Sequence, residues 1–155
     1  MIELTFSAFL HGDYEDQGYE LYLVRDAEQI MYIGISSVSV WDRWFSNLGS
    51  HMLVLPNGRL RGNSIIGEAI ARRLPDSLDW KIELWTKEDC INALQDEISS
   101  LGFRFPENMS LYDLEALLIK KLAPYYNATH RGAAQQDPFI SKVLDEAYRK
   151  IFEKE

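Results

Sequence analysis

Five residues of this sequence could do chemistry together: Tyr22, Tyr32, Arg43, Glu115 and Asn127. A tyrosine hydroxyl can exchange protons, the planar fork of an arginine suits a phosphate, and a carboxylate can hold a divalent metal ion. Each residue also has an ordinary structural explanation, since tyrosine is common in strands and an arginine can cover a neighbouring tryptophan with its alkyl stem. The set has chemical meaning only if the fold brings its members together.

Glu115 is the hardest of these residues to explain by structure alone. On a helical wheel, Leu111, Leu114, Leu118 and Leu122 form one apolar face, and Glu115 projects between Leu111 and Leu122. A buried carboxylate is costly unless a charged or hydrogen-bonding group meets it. Glu115 is therefore either a rim acid paired with a lysine or arginine, or a metal ligand, and the metal explains its position more economically.

The relation between the two tyrosines depends on a predicted β-hairpin. Residues 19–25 and 29–35 are rich in strand-forming side chains and are separated by Asp26-Ala27-Glu28. A three-residue loop places Tyr22 directly opposite Tyr32, whereas a two- or four-residue loop would put them on opposite faces. We therefore expect a directly facing pair of tyrosines.

The remaining pattern predicts an α+β fold with a small three-stranded, antiparallel-rich sheet flanked by helices. The other predicted elements are a strand near residues 2–10, a helix from Ser39 to about Asn47, a loop containing Pro56-Asn57-Gly58, a helix over about 64–74, a third strand at 80–85, helices capped at Thr86 and Ser110, a turn or edge strand at 125–127, and a carboxy-terminal helix over 137–153 packed on the core. Residues 1–155 are expected to form one domain.

The charge distribution distinguishes one segment of the chain. The formal net charge is −8, which argues against a protein that simply coats nucleic acid. Residues 43–73 nevertheless hold five arginines against Glu68 alone, a local charge of +4. Besides Arg43, these are Arg59, Arg61, Arg72 and Arg73. They are either a solvated surface or a basic strip that grips a phosphate backbone.

The cellular setting is indicated by what the sequence lacks. Cys90 is the only cysteine, which excludes an internal disulfide and favours a reducing, cytoplasmic location. No apolar run approaches the roughly 20 residues of a membrane span, and the start of the chain has no secretory signal pattern. The sequence also has no Cys/His pattern typical of structural zinc.

From residue 18 to residue 127, the order of these residues resembles the GIY-YIG endonuclease family. Tyr32-Ile33-Gly34 matches the second half of the family motif, and Glu20-Leu21-Tyr22 keeps the tyrosine of the first half without its glycine and isoleucine. Arg43-Trp44 stands where the family has its helix arginine, and Leu114-Glu115 resembles the family's glutamate helix. Asn127, after Pro124, resembles the closing asparagine.

The resemblance implies a metal-dependent endonuclease that hydrolyses DNA phosphodiester bonds. Tyr22 would be the general base for a water, with Tyr32 hydrogen-bonded nearby, and a nearby cation would have to lower the tyrosine pKa from about 10. Arg43 would stabilise charge on the phosphate, and Glu115 would hold one Mg²⁺ or Mn²⁺. Asn127 would orient the tyrosine or the phosphate.

Three further residues are auxiliary candidates. Many family members have a histidine or tyrosine one turn after the arginine, where this chain has Asn47, and His51 is the nearest substitute. Histidines such as His51 and His130 are otherwise expected at the surface. Gly34 marks either a bulge or a place where a ligand approaches the backbone.

Other functions stay open at this point. The chain could be a GIY-YIG-like domain that binds nucleic acid or protein without cutting, or an enzyme that uses the same cleft for a small molecule. DNA is the expected partner of a nuclease, RNA remains an alternative, and no membrane partner is expected. A dimer or a partner protein could supply specificity, since the sequence contains no separate DNA-binding module.

Overall fold

A four-stranded antiparallel sheet is the centre of the fold in a computed structural model of the chain, which describes residues 1–46, 50–100 and 109–130. In chain order the elements are β1 (Ile2–Thr5), α1 (Phe6–Leu10), β2 (Leu21–Asp26), β3 (Gln29–Ile35), α2 (Val40–Phe45), β4 (Met52–Val54), β5 (Leu60–Gly62), α3 (Ile65–Arg72), a short 3-10 helix (Asp76–Asp79), β6 (Lys81–Trp85), α4 (Lys87–Ala93), α5 (Gln95–Ser100), α6 (Leu111–Leu122) and α7 (Tyr125–His130). The predicted α+β class is confirmed.

The strand order is β1-β6-β2-β3, so the prediction of a three-stranded sheet is wrong. The additional strand is β1, which pairs antiparallel with β6, with Thr5 opposite Lys81. The predicted strand near residues 2–10 is divided between β1 and α1, because the Thr5 side chain accepts a hydrogen bond from the Ala8 amide and caps the helix. The local sequence indicates a strand here, but its partner β6 lies far along the chain, so nothing local indicates that it joins the sheet.

The β2–β3 hairpin differs from the prediction in its turn. Asp26 pairs with Gln29, so the connection has two residues, and Ala27 adopts a positive φ of 50° as such tight turns require. This turn, together with an irregularity between Val24 and Arg25 in the pairing, places Tyr22 opposite Gly34. The predicted direct opposition of the two tyrosines is therefore wrong.

A bulge in β3 nevertheless keeps the tyrosines on one face. Tyr32 lies opposite Val24, whereas Ile30 lies opposite Arg25, which leaves Met31 as an extra residue in β3. Each residue added to a strand reverses the face of those that follow. The bulge thus restores the parity that a two-residue turn alone would break.

The two faces of the sheet cover separate hydrophobic cores. One core includes Tyr22, Phe6 and Trp44 and is covered by α1, α2 and α3. The other includes Leu23 and Leu118 and is covered by α4, α5 and α6. Both α6 and α7 also contact β3, the strand at the sheet edge. The edge of β3 is therefore where elements from distant parts of the sequence meet.

Strands β4 and β5 form a second hairpin that the sequence pattern does not reveal. The predicted loop at Pro56-Asn57-Gly58 lies in its connection, where Gly58 has a φ of 81°. Each strand has only three residues, too few for the alternating pattern that identifies strands. The predicted helix over 64–74 is confirmed as α3, with Ser64 as its N-cap.

The amino-terminal half of α3 packs against this hairpin by direct backbone contact. A Cβ atom built at Gly67 would overlap the carbonyl oxygen of His51. A Cβ at Gly62 would lie 2.5 Å from the Cα of Glu68. These two glycines therefore set the distance between α3 and the segment that carries His51.

In the carboxy-terminal part of the described chain, one predicted element is confirmed and another is wrong. The helix capped at Ser110 is confirmed as α6 and ends where Ala123 takes a left-handed conformation, with a φ of 46°. The predicted turn or edge strand at 125–127 is wrong, because Pro124 is followed by α7, and proline is compatible with the start of a helix. The predicted helix over 137–153 lies outside the described residues.

Within the described ranges, no helix has the length and apolar character needed to cross a membrane.

The contact at Gly67 gives a test of the fold. Helix propensity alone predicts that Gly67→Ala stabilises the protein by about 0.5–1 kcal/mol. Because the new methyl group would meet the His51 backbone rather than a movable side chain, we expect the opposite sign, a loss of about 1–3 kcal/mol in urea unfolding. Glu68→Ala, at an exposed neighbouring position, is the control and should change stability by less than about 0.5 kcal/mol. A stabilised Gly67→Ala variant would contradict the packing.

Candidate active site

The two tyrosines lie side by side on one face of the β2–β3 hairpin. Their ring centroids are 6.2 Å apart and the rings are inclined by 26°. Gly34 makes this arrangement possible, because a Cβ atom there would overlap the hydroxyl and ring of Tyr22. Gly34 is therefore not the bulge, which lies at Met31, and the space beside it is occupied by an aromatic ring of the same chain.

His51 is the nearest polar partner of this pair, and its predicted surface position is wrong. It is 1% exposed, and its Nε2 atom is hydrogen-bonded to the hydroxyl of Tyr22. Its Nδ1 atom lies 2.7 Å from Oγ of Ser64. The imidazole thus connects the central sheet to the start of α3.

The backbone of His51 is fixed as firmly as its ring. Its amide donates to the carbonyl oxygen of Arg43 at 3.1 Å, and its carbonyl accepts from the Asn63 amide at 2.8 Å. Arg43 belongs to α2, whose N-cap Ser39 accepts from the Asp42 amide at 3.1 Å, as the sequence predicts. A hydrogen bond therefore joins the helix that carries Arg43 to the residue that contacts Tyr22.

Glu115 lies on the buried side of α6 and is 5% exposed, as the helical wheel predicts. Burial is the main cause that raises the pKa of Tyr22 and of Tyr32, and the charge of Glu115 raises both further. The guanidinium of Arg43 opposes this effect at both hydroxyls. Arg43 and Glu115 are therefore close enough to the tyrosine pair for their charges to influence its protonation.

Asn127 contacts the strand rather than a tyrosine hydroxyl. Its Oδ1 accepts from the Ile33 amide at 2.8 Å, and its Nδ2 donates to the Ile33 carbonyl at 3.0 Å. The side chain is 4% exposed. Asn127 thus holds β3 immediately beside Tyr32, and any orientation of that tyrosine is exerted through the backbone.

Protonation of the site is governed mainly by burial. Burial raises the pKa of Tyr22 well above 10, with further increases from Tyr32 and Glu115. Burial, and to a smaller extent Arg43, lowers the pKa of His51 from 6.5 to about 3. At neutral pH the free protein therefore holds a neutral tyrosine against a neutral imidazole. Tyr32, which is partly exposed, has its pKa raised by burial and then by Glu115.

The predicted basic strip is exposed but divided. Arg72 and Arg73 border a cavity of about 550 Å³ together with Tyr126, and Arg59 borders a separate cavity of about 530 Å³ near Leu78. Arg61 is exposed on β5. Two of these guanidiniums have partners in α3: Arg72 pairs with Glu68 at 3.1 Å, and Arg73 donates to the Ala69 carbonyl at 3.0 Å. Asn47 lies outside the described residues.

The side chains of the site that could bind a metal ion fit only an ion that needs few protein ligands. Among residues 1–46, 50–100 and 109–130, no group of three or more His, Cys, Asp or Glu residues could hold a metal ion. Zinc sites usually need three or four such ligands. A single buried carboxylate, Glu115, fits Mg²⁺ or Mn²⁺, because Mg²⁺ is commonly held by one or two carboxylates and keeps several waters.

Ser64 is a contact of the site that the sequence pattern did not indicate. A serine directly before the apolar run Ile65-Ile66 predicts an N-cap, but nothing local connects that cap with His51.

No protein-family model, curated protein or solved structure matches this chain.

Burial of a neutral His51 predicts how stability depends on pH. Its pKa is about 3 in the folded protein and 6.5 when unfolded, so the unfolded state binds more protons between these values and stability falls as pH falls below 6.5. At pH 5 this loss is about 2 kcal/mol. The difference in unfolding free energy between pH 7 and pH 5 should therefore be smaller by about that amount in His51→Gln.

Urea unfolding at both pH values measures this difference. His11→Gln, at an exposed position, is the matched control and should behave like the parent protein. An unchanged pH dependence in His51→Gln would contradict the buried neutral imidazole.

Proposed function

We propose that this protein is a metal-dependent endonuclease of the GIY-YIG type that hydrolyses DNA phosphodiester bonds. The observation that carries the proposal is the tyrosine pair itself: Tyr22 and Tyr32 are stacked on one face, one of them is hydrogen-bonded to His51, and both are influenced by Arg43 and Glu115. These residue types supply a proton acceptor, a cation for the phosphate and a carboxylate. The resemblance in their order along the chain supports the same conclusion.

The proposed reaction is the attack of water on the phosphorus atom. The water oxygen forms a bond to phosphorus with its own electron pair, and the bond from phosphorus to the 3′ oxygen breaks with its electrons on that oxygen. The attacking water loses a proton to Tyr22, whose own hydroxyl proton passes to His51 Nε2. The negative phosphate of the bound substrate favours the resulting imidazolium, against the burial that keeps this ring neutral in the free protein. The departing 3′ oxygen takes a proton from solvent, so the products carry a 5′-phosphate and a 3′-hydroxyl.

The other residues act on charge and position. The Arg43 guanidinium stabilises the negative charge that develops on the phosphoryl oxygens. Glu115 would hold a Mg²⁺ or Mn²⁺ ion, which neutralises phosphate charge when bound. Asn127 keeps the Tyr32 segment of β3 in place through its two hydrogen bonds to Ile33.

DNA is the proposed substrate, with RNA as the alternative that the same chemistry admits. The exposed arginines at 59, 61, 72 and 73 are the proposed phosphate contacts, which offset the net charge of −8 only locally. The single buried cysteine, Cys90, is consistent with the proposed cytoplasmic setting. A dimer or a partner protein is the proposed source of sequence recognition.

A second candidate function is a binding domain in which the same residues form an internal polar network. The burial of Tyr22 favours it, because a hydroxyl on a residue that is 1% exposed reaches a water only if the site opens beside Tyr32. The commitment of Asn127 to the Ile33 backbone favours it too. Such a domain would bind nucleic acid or protein without cutting.

Substitution of Glu115 distinguishes these two functions. Mg²⁺ at a hundred times its Kd should stabilise the parent protein by about 2.7 kcal/mol, visible as a higher melting temperature. Glu115→Gln nearly preserves size but removes the charge that holds the ion, so it should lose this response. It should also lose Mg²⁺-dependent nicking of supercoiled plasmid by at least about 100-fold.

Glu83→Gln is the matched control, because Glu83 is, like Glu115, a buried glutamate of the described ranges, and its carboxylate pairs with Arg25 at 2.6 Å. That variant should lose roughly 1–3 kcal/mol of stability through the stranded Arg25, yet keep nicking and the Mg²⁺ response. A parent protein that does not respond to Mg²⁺, together with a strongly destabilised Glu115→Gln, would favour the internal network.

Salt dependence of DNA binding tests the basic strip. If Arg59 and Arg61 contact phosphates, the double variant Arg59→Glu/Arg61→Glu should bind a DNA duplex more weakly. The slope of log affinity against log salt should become shallower by up to about 2, since each phosphate contact contributes about 0.9. Fluorescence anisotropy at several salt concentrations measures both quantities. Lys120→Glu on α6 is an exposed charge reversal for comparison, and equal slopes in all three proteins would show a merely solvated surface.

A further inference from the structure

Ser64 has a contact that the proposed reaction does not yet use. Its Oγ atom lies 2.7 Å from Nδ1 of His51, on the side of the imidazole away from Tyr22. The same atom accepts a hydrogen bond from the Gly67 amide at 3.1 Å, as the N-cap of α3. Ser64 therefore touches the ring nitrogen that does not touch Tyr22.

The proton positions follow from the burial of Tyr22. Buried hydroxyl groups almost always donate a hydrogen bond, and Tyr22 is 1% exposed. In the described part of the chain, its hydroxyl has one hydrogen-bond partner, Nε2 of His51. Nε2 must then accept this bond and carry no proton.

A neutral imidazole has one ring proton, so an unprotonated Nε2 places it on Nδ1. Burial keeps the ring neutral, since it lowers the pKa of His51 to about 3. Nδ1–H then donates to Ser64 Oγ, whose two lone pairs accept from His51 and from the Gly67 amide. Ser64 is only partly buried, so its own O–H can be bonded by solvent.

The opposite tautomer leaves a buried donor unsatisfied. If Nε2 carried the proton, it would donate to the Tyr22 oxygen, and the Tyr22 proton would have no acceptor among the described residues. An unsatisfied buried donor carries its full desolvation cost. Both contacts of the ring therefore favour the Nδ1–H tautomer: Tyr22 needs Nε2 as an acceptor, and Ser64 Oγ accepts the proton on Nδ1.

We propose that Ser64 is a positioning residue that holds His51 in the Nδ1–H tautomer, so that Nε2 is free to accept the Tyr22 proton. The catalytic consequence rests on the proposed nuclease function. When Tyr22 takes a proton from the attacking water, its own proton moves to Nε2 and His51 becomes an imidazolium. After the products leave, His51 returns that proton through Tyr22 to solvent, and no other reactant is needed.

The tautomer can be measured without any assay of activity. Nitrogen-15 NMR of the full chain separates a protonated ring nitrogen from one with a lone pair, and His11→Gln and His130→Gln variants assign the His51 signals. The parent protein should have a protonated Nδ1 and an unprotonated Nε2. Ser64→Gly, which removes the hydroxyl while glycine is still tolerated as an N-cap, should produce a mixture or the opposite tautomer.

Two further variants separate positioning from helix capping. Ser64→Thr keeps the hydroxyl and should restore the parent spectrum. Thr86→Gly removes the N-cap hydroxyl of α4, which accepts from the Asp89 amide, and should leave the His51 signals unchanged. In the nicking assay, Ser64→Gly should lower kcat at least about tenfold with little change in KM, within the contribution that positioned proton transfer makes.

An Nε2–H tautomer in the parent protein, or an unchanged His51 spectrum in Ser64→Gly, would overturn the proposal. A parent protein with the Nδ1–H tautomer but no nicking activity would instead refute the proposed nuclease function, and the role of Ser64 in setting the tautomer would stand. The spectrum therefore tests the role of Ser64, and the plasmid assay tests the nuclease function, and either can be refuted without the other.

Discussion

The hydrogen bond between Tyr22 and His51 is the interaction on which the rest of the site depends. It joins a strand of the central sheet to a segment that runs into a different hairpin, and both partners are buried. In a low-dielectric interior a hydrogen bond is stronger than in water, and a buried polar group left without a partner destabilises the fold. The surrounding backbone is arranged to complete it: Gly34 makes room for the tyrosine ring, and Gly67 lets α3 approach the histidine.

The face of the β2–β3 hairpin on which Tyr32 lies depends on one extra residue in β3. Because side chains alternate along a strand, the extra residue at Met31 decides whether the second tyrosine faces the first or the opposite core. Its effect is to combine a tight two-residue turn with a shared face for the aromatic rings. Bulges are frequent beside functional sites for this reason, since they redirect a side chain without lengthening the loop.

Local signals in the sequence predicted the elements better than their pairing. The N-caps at Ser39, Thr86 and Ser110 are read from neighbouring residues, and each of the three helices begins where its cap indicates. The inward position of Glu115 follows from one helical wheel. In contrast, the fourth strand and the β4–β5 hairpin depend on short segments with remote or weakly patterned partners. The burial of His51 depends on how α3 packs, which no neighbouring residue encodes.

The pairing of Asn127 with Ile33 also has a consequence for association between molecules. An edge strand normally presents free amide and carbonyl groups, to which a strand from another chain can bind. At Ile33 both groups are already taken by a side-chain amide delivered from a helix. The side-chain amide of Asn127 thus makes the same two hydrogen bonds as a peptide group of a neighbouring strand, but no further strand can pair with it. The sheet therefore ends at this point. This edge of β3 is therefore protected from strand addition at Ile33.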